Sequence, residues 1–327
     1  MANFSNILID WYSENKRDLP WRNTSNPYKI WLSEIILQQT RVAQGMNYYL
    51  KFVENFNTIK DLSEASEDEV LALWKGLGYY SRGRNLRKAA IQVMNEFDGV
   101  FPKDFENLKK LKGVGDYSAA AIASFSYQEK VAVVDGNVYR VLSRLYNIDT
   151  PIDTSAGKKQ FSKLANSLIS EKHPDLFNQA IMEFGALHCK PKKPNCEDCV
   201  FTINCAAYSE GTVEVRPVKS KKIKKKTRYL SFMFFEQDNS IALEKRGEKD
   251  IWANMFQFPL LEDQGAFEER NKELLWETKH LLTHQKLFCR FYRTNILKKG
   301  TRLVNLNDLE KYAIPRVIEN FLERYYK

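Results

Sequence analysis

Apolar positions come in helical blocks along most of the chain and change to short extended runs over its last hundred residues. From Tyr28 the sequence reads Tyr-Lys-Ile-Trp-Leu-Ser-Glu-Ile-Ile-Leu, ending at Leu37. Asn26 offers an N-cap and Pro27 a first-turn residue, so the pattern predicts a helix that starts there and runs through Gln38-Gln39-Thr40. One acid, Glu34, lies inside this block between Trp31 and Ile35. Partial burial among such neighbours disfavours the ionised form and raises the pKa, so that the group can donate a proton near neutrality. A salt-bridged helix residue is the alternative that the local pattern also allows.

A second block spans Leu111 to Val138. It predicts a helix ending near Leu111, a hairpin at Gly113-Val114-Gly115 and a second helix through Tyr117-Ser118-Ala119-Ala120-Ala121, whose small residues permit close packing. Two glycines reach backbone angles closed to other residues and expose amide N–H groups at a helix start, where a phosphate can sit. A glycine C-cap between two core helices is the structural alternative. Downstream, Asp135 is placed to cap a helix beginning near Asn137. In the last hundred residues, runs at 229–235 and 287–292 read as strands of a separate domain.

Length and charge then narrow the class. A chain of 327 residues suggests two domains, and a net charge of +9 with pI near 9.1 suits a polyanionic partner. Much of that charge is local: Arg216, Lys219, Lys221, Lys222, Lys224, Lys225, Lys226 and Arg228 lie within thirteen residues that hold no acid. The segment reads as a basic linker beside phosphate or as a solvated tether. Neither a signal peptide nor a run of about twenty apolar residues occurs, so a cytosolic protein with no membrane partner is expected.

Four of the five cysteines, Cys189, Cys196, Cys199 and Cys205, fall within seventeen residues with the spacing Cys-x6-Cys-x2-Cys-x5-Cys. Four thiolates turned toward one centre hold either an iron–sulfur cluster or zinc. Structural zinc usually uses two Cys-x2-Cys pairs and only one is present, which favours [4Fe–4S]. Lys190, Lys192 and Lys193 on the same loop give it a basic surface. Cys289 stands apart and reads as a buried apolar residue.

Glu34 and Asp135 together suggest cleavage of a glycosidic bond, where one carboxylic acid protonates the leaving group and one carboxylate stabilises an oxocarbenium-like sugar. The combined motifs resemble the DNA glycosylases of the endonuclease III superfamily, and within it the adenine DNA glycosylase (MutY) family. The likeness is carried by Leu19-Pro20-Trp21-Arg22, Ser33-Glu34, Leu37-Gln38-Gln39-Thr40, Gly76-Leu77-Gly78-Tyr79-Tyr80, Gly113-Val114-Gly115, Val134-Asp135-Gly136-Asn137-Val138 and the cysteine quartet. It implies a multidomain fold: an all-helical helix-hairpin-helix core at 1–215 with an iron–sulfur loop, the linker at 216–228, and a Nudix-like α/β domain at 229–327. No glutamate-rich Nudix box is present, so pyrophosphate hydrolysis is not expected there.

Enzymes of the superfamily that also cut the strand carry a Schiff-base lysine two residues beyond the hairpin. This chain has Tyr117 there, which cannot form an imine, so the resemblance implies a monofunctional enzyme. By the same resemblance the partner is double-stranded DNA bearing adenine opposite 8-oxoguanine, with the adenine flipped out of the stack. Glu34 would act as acid, Asp135 as stabiliser, Asn137 as a geometric support and Tyr117 as a hydrogen-bond donor to a carboxylate. Trp21, Arg22 and Leu37 are candidates for the adenine pocket. Gln39 and Tyr79 are candidates for wedging beside the orphan base, with a solvent-facing or core role as their structural alternatives. Thr283 and His284 match the loop that reads 8-oxoguanine, although Leu282 replaces its usual aromatic residue. A monomer at the nucleoid is the expected state. Two rivals stand beside this reading, a bifunctional glycosylase/lyase and a non-catalytic iron–sulfur DNA-binding protein.

Overall fold

Asn26 does start the helix that carries the first carboxylate: its side chain accepts from Tyr28 N at 3.0 Å and Lys29 N at 3.3 Å, and Pro27 opens the first turn. The helix spans Pro27–Leu37 and buries Tyr28 and every residue from Ile30 to Ile36. It is shorter than the pattern predicted. Gln38 leaves the helical region at ψ 114° and Gln39 takes φ 58°, so the polar Gln-Gln-Thr stretch forms a turn in place of a last helical turn.

The computed structural model describes residues 2–220 and 225–327 and divides the chain into two compact units. Lys221, Lys222 and Lys224 of the basic segment lie outside the described residues. The first unit joins Met1–Ser63 to Lys88–Lys222 and is helical. One of its cores gathers Leu8, Val138, Leu142, Phe161, Phe177 and Phe184 from the helices Ala2–Asn15, Gly136–Leu145, Ser155–Leu168 and Pro174–Leu187. The alanine-rich helix Asp116–Tyr127 buries Ser118 through Ser124, where small side chains let helices approach closely. Its partner before the hairpin, Phe105–Leu108, is short. It stops three residues earlier than expected because Lys109 to Lys112 turn to enter the hairpin.

The second unit joins Glu64–Arg87 to Ile223–Lys327. It contains β1 (Lys226–Phe234), β2 (Glu236–Gln237), β3 (Ser240–Lys245), β4 (Phe256–Gln257), β5 (Leu260–Asp263), β6 (Leu274–Leu281), β7 (Gln285–Arg293) and β8 (Arg302–Asn305). One sheet has the order β5-β1-β7-β6, with β1 and β7 parallel and the other pairs antiparallel. A second joins β2, β3 and β4, with β8 also paired to β3. Helix Arg316–Tyr325 lays Phe321 flat on Phe291, with centroids 4.4 Å apart and planes 4° from parallel. Phe232, Phe234, Phe258 and Cys289 complete that core, and Cys289 is fully buried, as expected for the cysteine that stands apart from the other four.

β1 starts at Lys226, inside the segment read as linker. Arg228 is not free for phosphate either: it bonds Asp250 through two nitrogens at 2.8 Å and Glu262 through two at 2.6 Å. No described helix is long and apolar enough to cross a membrane.

Phe291→Ala should remove the centre of the aromatic stack and destabilise the second unit by about 3–5 kcal/mol. Guanidinium denaturation should show the loss as a lower midpoint for that unit's transition; an unchanged midpoint would deny the stack its central place.

Candidate active site

Glu34 is 5% exposed on the helix that Asn26 caps, and its carboxyl forms part of the wall of a cavity of about 650 Å³ within the first unit. Asp135 and Tyr117 line the same cavity, brought there by the starts of two other helices. Tyr117 donates its hydroxyl proton to Glu34 Oε2 at 2.6 Å. Burial is the largest influence on Glu34 and pushes its pKa up to about 7; the negative charge of Asp135 adds to the rise, while Tyr117 and Arg22 oppose it. Burial, and then the Glu34 charge, raise Tyr117 well above the usual phenol value, so it remains a donor. With Oε2 occupied, Oε1 is the oxygen left to carry a proton into the cavity.

Asp135 caps the helix Gly136–Leu145, as its position suggested. Oδ1 accepts from Asn137 N and Val138 N, each at 2.8 Å, and Oδ2 accepts from Asn137 Nδ2 at 2.8 Å. Burial raises its pKa, and the bonds from Val138 and Asn137 counter that rise. Three donors on Asp135 against one on Glu34 favour the anion at Asp135 and the proton at Glu34. Capping the helix therefore leaves this carboxylate on the cavity wall. Asn137 is itself held: Arg140 Nη2 donates to its Oδ1 at 2.8 Å and to Gly185 O at 2.6 Å, and Arg140 Nε donates to Cys189 O at 2.7 Å.

Trp21 and Leu37 also line the cavity, Trp21 being buried edge-on against Tyr49 with centroids 5.1 Å apart. Arg22 lies there too, with its guanidinium gripped by Glu183 through two bonds of 2.8 Å. Arg17 grips the same carboxylate through Nε at 2.8 Å and Nη2 at 2.6 Å. Burial alone would raise Glu183, but the hydrogen bonds from Arg22 and Arg17 outweigh it and hold the pKa at about 2. Sequence reasoning missed Glu183, Arg17 and Arg140. An acid inside the apolar run Ile181-Met182-Glu183-Phe184 was the same signal that singled out Glu34; nothing local marked the two arginines.

The hairpin forms as expected with one correction. Gly113 has φ 79°, a left-handed angle that favours glycine, but Gly115 is extended at φ −97°, open to any residue. Nothing lies within 4 Å of a Cβ placed on Gly115, so its backbone is accessible at the start of Asp116–Tyr127. Val114 is buried and anchors the turn between the two exposed glycines.

Cys189, Cys196, Cys199 and Cys205 line a second cavity in this unit together with Arg144 and His188. Arg144 Nη1 donates to Cys189 Sγ and Phe201 N to Cys199 Sγ, each at 3.4 Å. Burial raises the Cys196 and Cys205 thiols and pushes Cys199 up to about 11. Among the described residues no three such donors stand close enough to hold one metal ion. Lys190, Lys192 and Lys193 are exposed on the loop.

Gln39 is exposed in the turn after its helix, at positive φ. In the second unit Tyr79 is also at positive φ, 47°, and 44% exposed, so it has no core role. Its hydroxyl shares a hydrogen bond with that of Thr283. Thr283 and His284 are both exposed in the turn between β6 and β7, whereas Leu282 packs against the apolar core.

A family model described as HhH-GPD superfamily base excision DNA repair protein matches residues 32–167, and one described as NUDIX domain matches residues 231–324. The chain is 34% identical over 343 residues to the adenine DNA glycosylase of Buchnera aphidicola subsp. Baizongia pistaciae, spanning 99% of this chain and 97% of that protein. It is 43% identical over 213 residues to the adenine DNA glycosylase of Homo sapiens, spanning 62% of this chain and 39% of that one. Among solved structures, a thermostable thymine-DNA glycosylase matches with a TM-score of 0.60 and 29% identity, over 64% of this chain and 96% of that chain.

Two outcomes test this geometry. A Cβ on Gly185 would lie 2.6 Å from Asn137 Cβ, so Gly185→Ala should cost about 1–3 kcal/mol in denaturant unfolding of the first unit. Glu34 releases its proton near 4.5 when unfolded and near 7 when folded, so native stability falls as pH rises through that window. Glu34→Gln lacks this penalty. Its stability relative to the parent should climb by about 3 kcal/mol between pH 4.5 and 7 and then level off; a pH-independent difference would contradict the raised pKa.

Proposed function

The chain belongs to the adenine DNA glycosylase family, a base-excision repair enzyme that removes adenine from DNA, and we propose that its adenine is the one mispaired with 8-oxoguanine. The observation that carries the chemistry is the unequal pair: Glu34, protonated to about pH 7 with Tyr117 on one oxygen, shares a cavity with the multiply bonded Asp135. An adenine inside a duplex offers no approach to its glycosidic bond, so the base is flipped into that cavity. A volume of about 650 Å³ accommodates a base and part of its sugar.

In this mechanism Glu34 Oε1 delivers a proton to adenine N7, which turns the base into a neutral leaving group. As the bond breaks, positive charge grows on the sugar, and Asp135 stabilises it from an anion already oriented by Asn137 and Val138. Glu34, now ionised, takes a proton from the water that attacks C1′, and an abasic site remains. Arg22, fixed by Glu183, sets a positive charge near Glu34 that makes it a stronger acid. No amine stands at position 117, so the cleavage is hydrolytic and the strand stays intact. Gly113 and Gly115 hold the backbone phosphate through exposed amides. Gln39 is read as filling the space left by the flipped base, and Tyr79, in the second unit, as a separate candidate for insertion into the base stack. Thr283 and His284 discriminate 8-oxoguanine by hydrogen bonding, without stacking from position 282, because Leu282 is committed to the core.

The four cysteines, in this reading, hold a [4Fe–4S] cluster. The four thiols line one cavity, and their spacing holds a single Cys-x2-Cys pair where structural zinc usually uses two, which favours the cluster. When bound, the group would anchor the loop, and Arg140, bonded to the Cys189 carbonyl, would take its position from that loop. The enzyme acts as a monomer in the compartment of the chromosome.

Single-turnover reactions with an A:8-oxoguanine duplex should give alkali-dependent breaks at the adenine alone, with none from A:T and no borohydride-trapped complex. A trapped complex would establish the lyase instead. Glu34→Gln should bind the mispair while losing about 10²–10⁴-fold in rate. Thr283→Ala should narrow the preference for 8-oxoguanine over guanine by roughly fivefold, the loss of about 1 kcal/mol, with A:G excision little changed; equal loss on both substrates would deny Thr283 a reading role.

A further inference from the structure

Gln38 lies just past the helix that carries Glu34, in the turn where the chain leaves helical geometry at ψ 114°. Its side chain reaches across to a neighbouring helix, where Nε2 donates to Ser118 Oγ at 3.0 Å. Ser118 is 1% exposed and directly follows Tyr117, whose hydroxyl holds Glu34 Oε2. Helices Pro27–Leu37 and Asp116–Tyr127 are therefore joined by two polar tethers, one at the acid and one a helical turn further along. A single tether leaves two helices free to rotate about it, whereas a second one fixes their register and the rotamers at the first. The turn is closed on its own side as well, since Thr40 N donates to Leu37 O at 3.1 Å.

We propose that Gln38 is a positioning residue for the acid: through Ser118 it holds the start of Asp116–Tyr127 against the Glu34 helix and so keeps Tyr117 on Glu34 Oε2. The inference rests on the reading of Glu34 as the proton donor given above. With Oε2 occupied, Oε1 faces the cavity; a loosened helix start would weaken the Tyr117 bond and let the carboxyl turn. The Tyr117 bond also opposes the burial that raises the Glu34 pKa, so a weaker bond lets that pKa climb further. Charge reaches Glu34 from Asp135 at the start of Gly136–Leu145 and from Arg22, with Glu183 and Arg17 behind it, and Arg41 and Arg140 line the same cavity. Neutral substitutions at 38 and 118 change none of these charges.

Carbon-13 resonances of the glutamate carboxyls in the full-length protein read the Glu34 proton directly, with its signal assigned by its loss in Glu34→Gln. Gln38→Met, which keeps the length of the side chain and removes the amide, should raise the Glu34 midpoint by about half a pH unit, a roughly threefold change in dissociation constant. Ser118→Ala, in keeping with the alanine run that follows it, should reproduce the rise, and the double variant should add nothing further. In a Tyr117→Phe background, Gln38→Met should have no effect, because the bond it positions is already gone. An unmoved midpoint in both single variants, or a rise that survives in Tyr117→Phe, overturns the inference. A parent midpoint near 4.5 overturns it together with the proton-donor reading. Adenine release that ignores pH while these shifts appear sinks the proton-donor reading alone and leaves Gln38 as the residue that sets the Tyr117–Glu34 bond.

Discussion

Two carboxyl groups enclosed in one small cavity cannot both carry charge without heavy cost, and the structure resolves that conflict by unequal support. Glu34 receives one hydrogen bond and deep burial, so it keeps its proton to about pH 7. Asp135 receives three and bears the charge. In the proposed mechanism each half of glycosidic cleavage, protonation of a leaving base and stabilisation of a cationic sugar, draws on one member of this pair.

Much of the first unit serves that inequality. The Asn26 cap places Glu34 within an apolar helix, and the Asp116–Tyr127 helix sets Tyr117 against it. Arg140 ties Asn137 to the Gly185 and Cys189 carbonyls, so the orientation of Asp135 is bound to the cysteine loop through backbone contacts. Gly185 is needed for that approach because any side chain would strike Asn137. Glu183 holds Arg22 in a fixed fork, which keeps a positive charge beside the acid without letting it form a direct ion pair there.

The sequence made the chemistry-bearing residues legible where a local rule was broken. Glu34 stood out as an acid in an apolar helix, Asp135 as a cap within a recognisable segment, and the cysteines by spacing alone. Turn geometry was less legible: the helix after Asn26 stops at Leu37, and only Gly113 of the two hairpin glycines takes a left-handed angle. Arg17 and Arg140 were invisible because the Glu183 carboxylate and the Cys189 carbonyl that hold them lie 166 and 49 residues away in sequence, and a long-range hydrogen bond leaves no periodic mark. The linker was over-extended for a related reason. Arg228 reads as one more cation in a basic run, but β1 carries it to two carboxylates that only the fold brings near.

The direct test of the account is the pH profile of single-turnover adenine release from an A:8-oxoguanine duplex, taken from pH 5 to pH 9 under conditions where binding is saturated. The account predicts a rate that falls about tenfold per pH unit above a midpoint near 7, as the Glu34 proton is lost, with a shift of that midpoint upward in Tyr117→Phe, which removes the bond that opposes the raised pKa. A rate that stays flat or rises through pH 8 would contradict it, because the leaving base would then be departing without the proton that Glu34 is placed to give.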